Sequence, residues 1–300
     1  MWAPIERWEI RAGLRYDAHA APFAGTQTRL SPRIKLSYIP SPGTTLYAYY
    51  GRLFMPTNVE DLRAITGAAD SGVVAQPTLP ERDNFYEAGI IHRFPFGLAA
   101  KLDAFRKHSR PGIDDNTVPG SAIVTSVNLA EIYVTGIESA LDFHPNGPLS
   151  GYVNFSINHA YGRGPITGGF FPTDVANVPG GWFDLDHDQR ISAVVNAVYS
   201  HSRLYMGATG IYGSGLTNGA DITHPIGTGL FDLNKDFHVS PNFILAASAG
   251  YSIPMHGTVV RPQIYVDNVL DTHYLLKGAF FSGASVGRPR TIQLRVNVGS

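Results

Sequence analysis

Arg190-Ile191-Ser192-Ala193-Val194-Val195-Asn196-Ala197-Val198-Tyr199-Ser200 is the stretch that decides the fold. Ile191, Ala193, Val195, Ala197 and Tyr199 fall on one side, while Arg190, Ser192, Asn196 and Ser200 fall on the other. A period of two is the signature of a β-strand with one apolar and one polar face. The same alternation recurs along the chain. Arg290, Ile292, Leu294, Val296 and Val298 alternate with Thr291, Gln293, Arg295 and Asn297. Leu98, Ala100, Leu102 and Ala104 oppose Lys101 and Asp103, and Val153, Phe155 and Ile157 oppose Asn154, Ser156 and Asn158. Helical periodicity is scarce.

Reading outward gives about twelve strands, near 6–16, 30–38, 44–53, 82–93, 97–106, 127–143, 149–159, 187–199, 203–213, 242–253, 258–270 and 288–298. Their junctions alternate between long and short. The short ones are tight turns such as Pro42-Gly43, Phe94-Pro95-Phe96-Gly97 and His256-Gly257, where Pro and Gly supply the unusual dihedrals. The long ones, at 54–81, 107–126, 160–186, 214–241 and 271–288, are rich in Gly, Pro, Thr, Asn and Asp. A soluble sandwich has no reason to sort its loops this way, whereas a transmembrane barrel puts short turns on one rim and long loops on the other.

The residues on each face decide between the two. Lys101, Asp103, Glu138, Arg261, Asp267 and Arg295 lie mid-strand on the polar side, where a barrel has its lumen wall. Small residues such as Ala88, Ala100, Ala104, Ala193 and Ala197 share the apolar side with Ile, Leu and Val, as suits contact with lipid tails. Aromatics gather at strand ends, among them Trp8, Tyr16, Tyr38, Phe94, Phe96, Tyr161 and Tyr251, the positions of interfacial girdles. The expectation is therefore an all-β, antiparallel transmembrane barrel wall.

Composition agrees. Of the 300 residues, 16% are charged, against about 25% in a typical soluble domain. Gly and Pro number 32 and 21, more than usual, as alternating turns and loops require. A net charge of −1 excludes a nucleic-acid-binding arm or a polybasic membrane patch, and the absence of cysteine excludes disulfides and thiolate metal sites. No run reaches ~18 apolar residues, so no membrane helix is expected.

Several segments resemble boxes of the TonB-dependent outer-membrane receptors. Asp267-Asn268-Val269-Leu270-Asp271-Thr272-His273-Tyr274 is similar to the family's N-L-F-D-x-x-Y box, and Gly287-Arg288-Pro289-Arg290-Thr291 to the G-x-P-R-T that opens its last strand. Leu30-Ser31-Pro32-Arg33, Gly43-Thr44-Thr45-Leu46 and Phe54-Met55-Pro56-Thr57-Asn58 look like its L-S-P-R, G-T-T-L and F-R-x-P-x stretches. Pro80-Glu81 through Tyr86-Glu87-Ala88-Gly89, Gly136-Ile137-Glu138 and Asp186-His187-Asp188-Gln189-Arg190 follow in the family's order.

The resemblance implies a 22-stranded barrel in the outer membrane of a Gram-negative cell, plugged by an N-terminal domain that contacts TonB. Residues 1–300 then correspond to the C-terminal part of that barrel, with no stretch resembling the plug or a signal peptide and Ser300 where the family has an aromatic. It further implies TonB-linked uptake of a large scarce nutrient, such as a ferric siderophore, cobalamin or a glycan. The polar wall would face the plug, lipid and lipopolysaccharide would surround the barrel, and external loops would hold the ligand. Loop aromatics Phe170, Phe171, Trp182, Phe183 and Phe231 are the candidates for that contact. The other readings are a self-contained twelve-stranded outer-membrane pore or enzyme, and a secreted β-sandwich.

No catalytic residue, cofactor or metal is expected. No G-x-S-x-G, P-loop or dinucleotide fingerprint occurs in a strand–helix context, and the eleven histidines lack i, i+4 or H-E-x-x-H spacing. His159 carries no serine motif that would make it a phospholipase residue. Alternation places Asp184, Asp186 and Asp188 on one face, where alternate carboxylates suit a divalent cation. The plainer expectation is a solvated strand start, with Asp186 or Asp188 paired to Arg190 or to a lipopolysaccharide-bound cation.

Overall fold

The computed structural model describes residues 2–21, 25–57, 78–117, 124–169, 181–185, 188–217, 238–277 and 285–299. Among them there is no helix, and eighteen strands follow one another: β1 (Trp2–Ile5), β2 (Trp8–Ala21), β3 (Gly25–Ser41), β4 (Thr44–Met55), β5 (Glu81–Arg93) and β6 (Leu98–Ser109). Then come β7 (Gly112–Thr117), β8 (Val124–Phe143), β9 (Leu149–Thr167), β10 (Phe183–Asp184), β11 (Ile191–His201) and β12 (Leu204–Gly213). The last six are β13 (Asn242–Tyr251), β14 (Ile253–Met255), β15 (Thr258–Asp267), β16 (Leu275–Lys277), β17 (Ser285–Val286) and β18 (Thr291–Gly299). Twelve of the eighteen have nine residues or more, and they coincide with the twelve segments that alternate in the sequence.

Each long strand pairs antiparallel with the next, from β2 through β6, β8, β9, β11 to β13, β15 and finally β18. Among the described residues no pairing joins β18 back to β2, so the sheet has two free edges. Register keeps every apolar set on one face. Leu102 lies between Ile90 and Ser139, Ile137 faces Ile157, Ile157 faces Ile191, and Val266 faces Ile292. That face has no protein over it: Leu102 is 50% exposed and Leu294 80%. An apolar surface this continuous is stable against hydrocarbon, not water.

Where the structure departs from the sequence reading, strands outrun their hydrophobic alternation. The expected gap between the first two long strands closes to residues 22–24, because β2 and β3 stay paired from Trp8↔Tyr38 to Ala21↔Gly25. The expected loop 107–126 contains β7, which pairs with β8 from Gly112↔Leu129 to Thr117↔Val124. The expected loop 160–186 gives its first residues to β9 and two more to β10. Backbone pairing needs no particular side chains, so the ladder continues where the apolar face ends and the periodic signal disappears.

The small buried core sits at this outrunning end. Leu129, Ile132, Phe183 and Leu185 pack together with Val134, Ala160 and Ile166 against them. A bulge between Leu129 and Glu131 lets β8 turn residues of both parities toward that cluster.

Candidate functional site: the polar face and the long-loop rim

The polar face begins with Tyr47, whose hydroxyl lies 2.5 Å from Asp103 Oδ1 and 2.7 Å from Glu87 Oε1. One hydroxyl proton thus serves two carboxylates. Lys101 Nζ is 2.7 Å from Asp103 Oδ1, and Lys35 Nζ stands 4.3 Å from the centre of the Tyr47 ring. Asp103 faces Glu138 across β6 and β8. Lys101, Asp103 and Glu138 share a groove of about 280 Å³ with Asn154, Ser156 and Ser192.

Arg295 belongs to a second groove of about 470 Å³ between β11 and β18, with Asn196, Gln263 and Tyr265. Arg261 faces Asn297 and Asp267 faces Thr291 on the same side. The six charged residues singled out in the sequence therefore share one face, three of them as a cluster and the others spread toward β18.

At the long-loop end, the residues flanking 58–77 are clamped. Thr57 Oγ1 donates to the Thr78 carbonyl at 2.9 Å, and Thr78 Oγ1 to the Ser126 carbonyl at 2.7 Å. Asn128 accepts from Leu79 N at 2.6 Å and donates to the carbonyls of Leu79 at 2.9 Å and Gly112 at 3.2 Å. Glu81 accepts from Lys107 Nζ and from Ile113 N, both at 2.8 Å. All of Thr78, Glu81, Ser126 and Asn128 are buried. No hydrophobic pattern marks such residues, which is why sequence reading passes over them.

The Asp184 region holds a third polar set. His159 Nε2 bonds Asp184 Oδ1 at 2.6 Å, and Arg190 Nη2 donates to Asp184 Oδ2 at 2.6 Å. Arg190 Nε also donates to Asp188, whose other oxygen accepts from Ala160 N at 2.8 Å. Ligand atoms of His159, Asp184 and Asp188 lie within 4.8 Å of one another, a set that suits a divalent cation. The Arg190 guanidinium already supplies positive charge to both carboxylates. Burial opposes ionisation of Asp184, but the His159 hydrogen bond and the Arg190 charge outweigh it and hold the carboxyl below its ordinary range. Asp186 and His187 lie outside the described residues.

Two sequence boxes meet physically. Asn268, buried and with φ of 51°, accepts from Thr272 N at 2.9 Å and donates to the carbonyls of Thr272 at 2.9 Å and Arg288 at 3.1 Å. Arg290 N reaches Asp271 Oδ1 at 3.2 Å. The loop that leaves β15 and the segment that opens β18 are thus held as one base.

Of the loop aromatics, Phe170, Phe171 and Phe231 lie outside the described residues. Phe183 is buried in the apolar cluster, while Trp182 is exposed with the Arg163 guanidinium 4.9 Å from its ring centre. Neighbouring residues of an extended strand point to opposite faces, so the pair splits.

The sequence profile of the TonB dependent receptor-like β-barrel family matches residues 1–269. No curated protein matches the chain in sequence. The structure is similar to the siderophore receptor PiuA from Acinetobacter baumannii, with TM-score 0.69 at 17% identity over 98% of this chain and 41% of that one. It is similar also to the ferric-catecholate import receptor Fiu from K12 E. coli, with TM-score 0.67 at 15% identity over 98% of this chain and 42% of that one. The copper transporter OprC aligns with TM-score 0.66 at 15% identity over 99% of this chain and 46% of that one. The chain thus spans less than half the length of the solved structures it matches.

Proposed function

The chain belongs to the TonB-dependent receptor-like β-barrel family, and from that premise we propose that it supplies barrel wall and external loops to an outer-membrane receptor that imports a large, scarce nutrient. The observation that carries this reading is the two-faced sheet. One face of the twelve long strands is a bare apolar surface, the other a wall of charged and amide side chains, and loops of length occur at one rim. The aligned proteins are a siderophore receptor, a ferric-catecholate import receptor and a copper transporter, so a ferric siderophore or other metal chelate is the first ligand class to try, with cobalamin and glycans after it.

In the mechanism that fits the family, external loops capture the ligand, and energy from the inner membrane reaches a plug domain through TonB. No bond of the ligand is made or broken. The polar wall, with Lys101, Asp103 and Glu138 at its centre, offers donors and acceptors to whatever occupies the lumen.

The test is uptake of radiolabelled ferric siderophores, cobalamin and labelled oligosaccharides by Gram-negative cells carrying the gene or its deletion, with and without TonB. Loss of one uptake activity in the deletion strain and in the TonB-deficient strain is the expected result. Uptake of the same ligand without TonB would overturn the energised part of the proposal.

A further inference from the structure

Charge is divided unevenly along the polar face. On β5 and β6 it is dense and internally matched: Lys101 lies 2.7 Å from Asp103 and Lys107 2.8 Å from Glu81. Farther along the sheet, β11, β12 and β13 contain no Asp, Glu, Lys or Arg. Charge returns to that face with Arg261 and Asp267 of β15 and Arg295 of β18.

Those two arginines are not matched. Arg261 faces Asn297 and Arg295 faces Gln263, and among the described residues no carboxylate pairs with either. Asp267 lies ~13 Å along β15 from Gln263 and accepts from Asn268 N at 3.1 Å. Both guanidinium groups are exposed.

Arg295 opens onto the groove of about 470 Å³, which Tyr205, Ser248, Gln263 and Gln293 also line. Ser248 Oγ donates to the Tyr205 hydroxyl at 3.3 Å, so the phenol proton is left for another acceptor. Asn297 Nδ2 donates to Gln263 Oε1 at 3.2 Å, which leaves the Gln263 amide N–H groups as donors. The groove thus presents a guanidinium, a phenol and amide N–H groups, and no carboxylate. A glycine keeps it open: a Cβ at Gly207 would lie 3.0 Å from both Ser248 Oγ and the Tyr205 hydroxyl. Its volume falls in the ~300–1,000 Å³ range of small-molecule sites.

An always-charged guanidinium beside unmatched donors favours an anion with several oxygen acceptors, since a cationic or apolar occupant would leave those donors unpaired. We propose that this groove is a subsite for an anionic, oxygen-rich metal chelate. Arg295 pairs the ligand charge, Tyr205, Gln263 and Gln293 donate to its oxygens, and Arg261 is the next cation toward the tight-turn rim. The inference deepens the receptor reading and rests on it, since it takes the polar face as the wall of a lumen.

The experiment uses the full-length receptor in detergent with a thiol placed in the groove by Ser248→Cys. Residues 1–300 contain no cysteine, so a label found on them by peptide mass reports that position alone. Two synthetic hexadentate ferric chelates of one backbone serve as probes, a trianionic tris-catecholate and a neutral tris-hydroxamate. The expected result is protection of the thiol by the trianionic chelate, with at least tenfold more of the neutral one needed. Arg295→Gln in the same background should raise the protecting concentration at least tenfold, and Arg295→Lys by a smaller factor. Gln293→Cys, at an exposed position on the same groove, repeats the measurement should Ser248→Cys fold poorly. Equal protection by both chelates or by inorganic phosphate, unchanged protection in Arg295→Gln, or thiols that never label would overturn the subsite and leave the receptor reading intact. Absence of any gene-dependent uptake in the assay above would instead overturn the receptor reading itself.

Discussion

Asn268 Nδ2 donates to the Arg288 carbonyl at 3.1 Å, joining two segments twenty positions apart at the base of one loop. Asn adopts left-handed backbone angles at less cost than most residues, and the side chain here replaces three partners that would otherwise face a buried void. Asn268→Ala should therefore destabilise the β15–β18 end by about 2–4 kcal/mol. Urea unfolding of the barrel in detergent measures this, and an effect below ~0.5 kcal/mol would refute the clamp.

A second expectation concerns the tie from β9 to β10. Asp184 has its folded-state pKa held down, so its contribution is present above the ordinary aspartate value of 3.8 and is lost as pH falls through the lower folded value. Asp184 is exposed enough that the contribution is about 1 kcal/mol or less. Hydrogen exchange of residues 181–185 should rise only in acid, and Asp184→Asn should remove that acid dependence.

Asn128 predicts a larger effect. Asn128→Ala leaves Leu79 N and two carbonyls without their partners inside the rim, costing about 1–3 kcal/mol. Protease cleavage within 58–77 should become faster in the variant. Unchanged cleavage would show that the clamp does not hold that segment.

The two faces give opposite responses to the same change. Leu102→Arg puts a charge on the bare apolar face and should reduce bilayer insertion by about 2–4 kcal/mol. Asn154→Arg, beside Glu138 in the polar groove, should leave insertion within ~0.5 kcal/mol of the parent. Folding into liposomes, read by electrophoretic mobility without heating, compares them.

Gly97 offers a test of the tight-turn rim. It has φ of 80°, and a Cβ there would lie 2.5 Å from the His144 carbonyl oxygen. Gly97→Val should therefore slow folding and cost about 1–3 kcal/mol, while Gly147→Ala, in the open part of the next turn, should not.

The twelve long strands were legible because a bare apolar face on one side and polar contacts on the other impose strict alternation, as from Ile191 to Tyr199. The extensions were not. Gly112–Thr117 and the end of β9 continue the backbone ladder beyond the band where alternation is enforced. The Asn128 and Asn268 clamps were hidden for a related reason, since a buried amide looks in sequence like any loop amide. The ring stack of His108, Tyr133 and Tyr161 needed register, since these residues become neighbours only once Tyr133↔Tyr161 and His108↔Tyr133 are known.

Placing the longest connections at one rim separates two kinds of sequence change. One residue inserted inside β9 would exchange lipid-facing and inward side chains for every position beyond it on that strand. Any number added within 58–77, between the clamped Thr57 and Thr78, would leave all twelve alignments as they are. The long connections can thus diversify by insertion and deletion at evolutionary speed, while the two-faced sheet accepts only substitutions that respect its parity.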